Sequence, residues 1–129
     1  MGKFSISNPI LKKIQYDFLI PDKKTISISI DDFIQIVEID EKKALVCISR
    51  ELSLDRTKEI YIKISYDVSI ESDEDIEKDM LIKELQSKTI SMTSVFSKIS
   101  LLISQITSMS PFGIIVSPPN YNAEEVTIS

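Results

Sequence analysis

The chain contains no histidine, no tryptophan, one cysteine and two glycines in 129 residues. Without histidine it lacks the commonest general base and the commonest nitrogen ligand for metals. The single cysteine, Cys47, excludes an internal disulfide and any Cys/His zinc site, and it suits a reducing cytoplasm. It stands in the apolar run Ala44-Leu45-Val46-Cys47-Ile48. No imidazole is present to activate it, so we read it as a packed thiol rather than a nucleophile. The glycines are Gly2 and Gly113, so no glycine-rich phosphate loop exists. These absences argue against an enzyme. They leave no catalytic residue, metal ligand or cofactor to nominate.

Charge narrows the reading further. The net charge is −5 and the pI is near 4.8, which disfavours nucleic acid because phosphate binding needs a basic surface. No basic, apolar, small-residue leader opens the sequence, so no secretory signal is expected. The segment from Ile90 to Met109 has the length of a membrane helix. Lys98, Gln105 and its many Ser and Thr residues make it too polar for membrane insertion.

What remains is a folding core. Apolar residues make up 43% of the chain, mean hydropathy is +0.06, and isoleucine dominates, which favours strands. The length suits one domain. Strands are expected over about residues 10–71, helices over about 74–110, and an extended tail over 111–129. Ile14, Tyr16, Phe18 and Ile20 alternate with polar residues between Pro9 and Pro21, as an edge or interface strand would. Ile26, Ile28 and Ile30 keep the period of two until Asp31-Asp32 interrupts it, and Phe33 to Ile39 resumes with a less clear phase. Asp40 to Lys43 reads as a hairpin turn and Ala44 to Leu54 as a strand. Ile60, Ile62, Ile64, Tyr66, Val68 and Ile70 then alternate against Glu59, Tyr61, Lys63, Ser65, Asp67 and Ser69. The pattern predicts an α+β fold: a four-stranded antiparallel sheet, one face covered by C-terminal helices and the other wet.

The acidic stretch Glu71 to Asp75 marks a helix start, with Ser72 the expected N-cap. The first helix should run from about Asp75 to Gln86 and the second from about Ile90 to Met109. Residues Thr89 to Tyr121 hold one charge, Lys98. The apolar stripe through Met92, Val95, Phe96, Ile99, Leu102, Ile103, Ile106 and Met109 fits a sheet-covering helix. Its opposite face is small and, apart from Lys98, uncharged, whereas a surface helix normally carries more charge there. That face, with Ser94, Ser97, Lys98, Ser104, Thr107 and Ser108, is the expected subunit contact. Pro111 should stop the helix and Gly113 allow a turn. The residues after Tyr121 are expected to fray.

Three short motifs, in this order, resemble the SecB family of protein-export chaperones. Lys13-Ile14-Gln15-Tyr16-Asp17 is similar to the family's acidic-Ile-Ser-Phe-Glu strand. Val95-Phe96-Ser97-Lys98 looks like its Leu-Phe-Pro-Tyr at the head of a long helix. Ile114-Ile115-Val116-Ser117-Pro118-Pro119-Asn120-Tyr121 resembles its Leu-x-Leu-x-Pro-x-Asn-Phe. The resemblance spans about Lys12 to Tyr121. It implies a cytoplasmic homotetramer, built as a dimer of dimers with long helices between sheets. It also implies an ATP-independent holdase for unfolded or export-bound polypeptides. Divergent relatives guard antitoxins, so a protein-interaction module serving one specific partner is the alternative. Candidate client contacts are Tyr16, Phe18, Phe33, Phe112 and Tyr121. Asp17 matches an acid that docks the translocase motor in the family, but Lys13 stands where another acid belongs. The family's second helix has no counterpart among Asn122 to Ser129, and the turn after the long helix is reduced to Pro111-Phe112-Gly113.

Overall fold

A computed structural model describes residues 3–17, 27–55, 58–109 and 113–129. The strands are β1 (Phe4–Ile6), β2 (Ile10–Tyr16), β3 (Ile28–Asp40), β4 (Lys43–Leu54), β5 (Ile60–Ser72) and β6 (Thr127–Ile128). The helices are α1 (Lys78–Gln86) and α2 (Thr93–Thr107). All strands join one sheet in the order β1-β5-β4-β3-β6, with β2 also on β5. Pairing is antiparallel except for β6, which runs parallel to β3. The expected α+β architecture is present, with six strands among the described residues rather than four.

Isoleucine periodicity creates the core. Val46, Ile48 and Leu52 of β4 sit opposite Val68, Tyr66 and Ile62 of β5, and the two helices cover that face. Leu81 and Leu85 of α1, and Val95, Phe96, Ile99 and Ile103 of α2, are fully buried. The alternate positions make the other face polar. There Lys63 pairs with Glu51 at 3.2 Å and Lys12 with Asp67 at 3.9 Å. Among the described residues no helix is long and apolar enough to cross a membrane.

Local irregularities account for most departures from the expected pattern. Pro9 has no N–H to donate and lies between β1 and β2, which therefore form one interrupted edge on β5. Ser7 bridges the gap: its N–H donates to Ser69 O at 2.9 Å, and its hydroxyl accepts from Ser69 N–H at 3.0 Å. The register of β3 shifts between Ile36 and Glu38, so Val37 is bulged out and half exposed. That bulge is why the phase of Phe33 to Ile39 is unclear in sequence. A second shift between Leu52 and Ser53 leaves Tyr61 without a partner on β4. Tyr61 is buried, not on the wet face, and its ring lies 5.4 Å from that of Tyr16.

Three further expectations are corrected. Ser72 accepts a hydrogen bond from Glu74 N–H at 3.1 Å and so shapes the turn before α1, whose own N-cap is Glu77. Both helices are shorter than expected. The residues after Tyr121 do not fray, because they turn at Asn122 and add β6 to the sheet. Phe18, Ile20, Pro21, Pro111 and Phe112 lie outside the described residues.

Asp31-Asp32 does not interrupt β3, because Asp32 has a partner. Arg50 of β4 stands directly opposite it, on the helix-covered face, with no exposed surface. Arg50 Nε and Nη2 reach the two Asp32 carboxylate oxygens at 2.6 and 2.9 Å. A bidentate guanidinium–carboxylate pair is the strongest geometry available to these groups.

Two predictions follow from this packing. Asp32→Ala leaves a buried guanidinium without its anion, which should destabilise the fold by about 3–5 kcal/mol in denaturant titration. A loss below about 1 kcal/mol would put the pair among ordinary surface ion pairs. Burial, and after it the nearby Asp67 carboxylate, pushes the Cys47 thiol above its ordinary pKa. Less reactive thiolate is then present near neutrality. Iodoacetamide should therefore label folded Cys47 several-fold more slowly than the guanidinium-unfolded chain at about pH 8. Equal rates would contradict the packed-thiol reading.

Candidate functional surface

Arg50 has more donors than Asp32 can accept. The remaining N–H groups point across the core at the extended segment that follows Gly113. Nη1 donates to Ser117 Oγ at 3.1 Å and to the Pro118 carbonyl, and Nη2 donates to the Asn120 carbonyl at 3.0 Å. The guanidinium carbon lies 5.3 Å from the centre of the Phe96 ring, a distance suited to cation–π attraction.

The hydroxyls of α2 hold the same segment from its other side. Ser97 Oγ donates to Pro119 O at 2.8 Å, Ser100 Oγ to Ser117 O at 2.7 Å, and Ser104 Oγ to Ile115 O at 3.0 Å. Thr107 Oγ1 accepts from Ile115 N–H at 2.9 Å and donates to Ile103 O at 2.7 Å. The ladder keeps step in sequence: three or four residues of α2 pass for every two of the segment. Successive carbonyls of an extended chain point in opposite directions, so those of Ile115, Ser117 and Pro119 meet α2 while those of Pro118 and Asn120 meet Arg50. Pro118 and Pro119 have no N–H, which suits a stretch bound through its acceptors.

The segment is anchored at both ends. Gly113 adopts φ +85°, where a side chain would be strained. At the far end Tyr121 is buried, with its ring 5.0 Å from Phe96. Lys88 has φ 61°, just past the C-cap of α1. From there its Nζ donates to Tyr121 O at 2.7 Å and sits 4.5 Å from the centre of the Tyr121 ring.

This clamp decides which side chains face outward. Along the segment Ile115 and Ser117 turn inward, whereas Ile114 and Val116 are 61% and 82% exposed. Met109, expected in the buried stripe, lies just beyond α2 and is 88% exposed. Ile114 and Val116, two residues apart on an extended segment, form an outward apolar pair, and Met109 adds an exposed apolar side chain at the end of α2. A separate stripe on α2 (Ser94, Lys98, Leu101, Gln105, Ser108) is exposed along its length. A second exposed apolar group, Ile6, Ile10, Leu11 and Ile14, lies along the β1–β2 edge.

The residues nominated from sequence are not brought together. Of the six expected contact residues of the long helix, Ser97, Ser104 and Thr107 bond the chain's own segment, and Thr107 is buried. Ser94, Lys98 and Ser108 remain on the exposed stripe. Tyr121 is core. Tyr16 is half-buried on β2 and Phe33 half-buried on β3, at opposite sides of the sheet. Asp17 is exposed just past β2 and accepts a hydrogen bond from Gln15 Nε2 at 3.3 Å. Phe18 and Phe112 lie outside the described residues. Sequence reasoning missed Arg50. Its signal was parity: Arg50 shares the inward phase of Val46, Ile48 and Leu52, and Asp32 that of Ile30 and Ile34.

No family model matches the sequence, and no curated protein matches it. Among solved structures the chain is similar to the SecB-like chaperone Rv1957 of Mycobacterium tuberculosis, in complex with a ChAD peptide from the HigA1 antitoxin Rv1956. The TM-score is 0.68 at 11% identity, over 89% of this chain and 88% of that one. It is also similar to a protein of unknown function from Streptococcus agalactiae, with a TM-score of 0.53 at 12% identity, over 92% of this chain and 98% of that one. The clamped segment, the long helix and the sheet beneath them are thus arranged in a SecB-like fold.

Proposed function

We propose that the protein is an ATP-independent chaperone that holds unfolded or export-bound polypeptides on the apolar strip of Met109, Ile114 and Val116. The observation that carries this reading is the outward display of the strip by a rigid clamp, in a fold shared with a peptide-binding SecB-like chaperone. Binding of this kind is hydrophobic and non-directional, so it tolerates many client sequences. Burying three such side chains contributes roughly 5–9 kcal/mol gross. Association itself costs about 4–15 kcal/mol. One protomer therefore holds a client weakly, and a useful holdase needs several strips acting on one chain.

Assembly supplies that multiplicity in the proposal. A closed tetramer made as a dimer of dimers needs two distinct self-complementary patches. The exposed α2 stripe and the β1–β2 edge are two such patches. An edge strand with Ile10, Leu11 and Ile14 exposed is suited to pairing with a second copy. The proposed location is the cytoplasm, as the lone thiol suggests. Tyr16 and Phe33 remain secondary candidates for client contact. Docking of a translocase motor through Asp17 is not part of the proposal, because Lys12 and Lys13 make the preceding strand basic.

A second reading is favoured by a specific observation: the similar mycobacterial structure holds a peptide from one antitoxin. A chaperone dedicated to one partner would use the same strip.

The parent protein should suppress aggregation of a thermally unfolded test protein at stoichiometric ratio without ATP. The Ile114→Asp/Val116→Asp variant should lose at least about five-fold of that effect with little change in melting temperature, since both side chains project outward. Absence of suppression by several-fold excess of the parent would sink the holdase reading. Proteins recovered with the chaperone from cells separate the two roles, a spread of clients marking the first and one stoichiometric partner the second. Light scattering should give four times the 14.6 kDa protomer mass. A monomer at micromolar concentration would overturn the assembly.

A further inference from the structure

The outer edge of β3 already holds an extended segment, and that segment shows what the edge accepts. After Tyr121 the chain turns at Asn122, whose carbonyl accepts from Val126 N–H at 2.9 Å. β6 then lies parallel to β3, with Thr127 beside Phe33 and Ile128 beside Ile34. Ser129 N–H donates to Ile34 O at 3.0 Å, and Ile36 N–H donates to Ser129 O at 2.8 Å. Val126 and Ile128 are half-buried against the core, while Thr127 and Ser129 face out. The site therefore selects an extended backbone with aliphatic side chains at alternate positions and tolerates any residue between them. Its resident is held weakly. The pairing covers Thr127 and Ile128, with two further backbone bonds at Ser129, and neither Val126 nor Ile128 is fully buried. A segment with so few contacts opens more readily than the β4–β5 core.

We propose that the β3 edge at Phe33–Ile36 is a strand-accepting site for client polypeptide, and that residues 122–129 are a resident strand which the client displaces. The incoming segment is unfolded chain with β-branched or aliphatic residues two apart, running parallel to β3. Phe33, half-buried beside Thr127, forms part of the same site. This rests on the polypeptide-binding reading above and adds a second, directional contact to the apolar strip. The resident strand limits that contact to clients able to compete with it.

The test uses the full chain and a labelled peptide with the sequence of residues 122–129. The Ile128→Asp variant should release the resident strand and bind the peptide at least ten-fold more tightly than the parent does. Its Ile36 amide should exchange hydrogen at least ten-fold faster and regain protection when the peptide is added. Ser129→Pro removes the donor to Ile34 O and sets the ring in its place, leaves Val126 and Ile128 unsubstituted, and should shift both readouts in the same direction. Equal peptide binding by parent and both variants overturns the proposal. Protection of Ile36 by added parent protein but not by peptide also overturns it, because a second copy would then be the occupant. Aggregation suppression keeps the two readings distinguishable. Peptide binding without suppression by any form sinks the holdase and leaves this site standing. Equal suppression by all forms without peptide binding does the reverse.

Discussion

A guanidinium with no exposed surface must find an anion and further acceptors inside the protein, or the fold that buries it will not form. Arg50 meets that demand by drawing acceptors from a distant part of the chain onto the β3–β4 pair. Asp32 supplies the charge from the neighbouring strand, and Ser117, Pro118 and Asn120 supply acceptors from nearly seventy residues downstream. Once those bonds exist, the downstream segment is fixed over the core, and α2 lies where its hydroxyls reach the same backbone. The sheet, the long helix and the exposed strip are thus coupled through one side chain.

The coupling also explains the composition of α2. A helix with hydroxyls at Ser97, Ser100, Ser104 and Thr107 is unusual as a surface and sensible as a docking rail for extended chain. Each hydroxyl ends on a backbone carbonyl or N–H of the segment or of the helix itself. Charged residues at these positions would be too long for the close approach and would bury charge beside apolar core. The low charge between Thr89 and Tyr121 is thus partly an intramolecular fit, and the stripe through Ser94, Lys98 and Leu101 stays exposed.

The sheet was legible because its signal is local: β5 writes its buried face in isoleucine, and only the bulge at Tyr61 misplaces a residue. The helix stripe was legible for the same reason. Arg50 was not, because reading it requires the register of β3 on β4. The Asp40–Lys43 turn alone would place Arg50 opposite Phe33, and the bulge at Val37 brings it to Asp32. Tyr121 stood as a candidate client contact because it flanks an irregular segment, yet the clamp carries it into the core. β6 was missed because a two-residue strand lacks enough alternation to register as a pattern. Partners at long sequence distance, rather than weak local propensity, separate what was read from what was not.

One consequence of the hydroxyl ladder concerns how such a surface can change over time. The segment is fastened mainly through main-chain atoms, with Ser117 and Tyr121 as its inward anchors. Ile114 and Val116 have no part in the fastening. Fastening and outward display are therefore carried by different residues of the same segment. Mutation at the outward positions can change the displayed surface while the scaffold beneath stays unaltered, much as an interchangeable blade sits in a fixed handle.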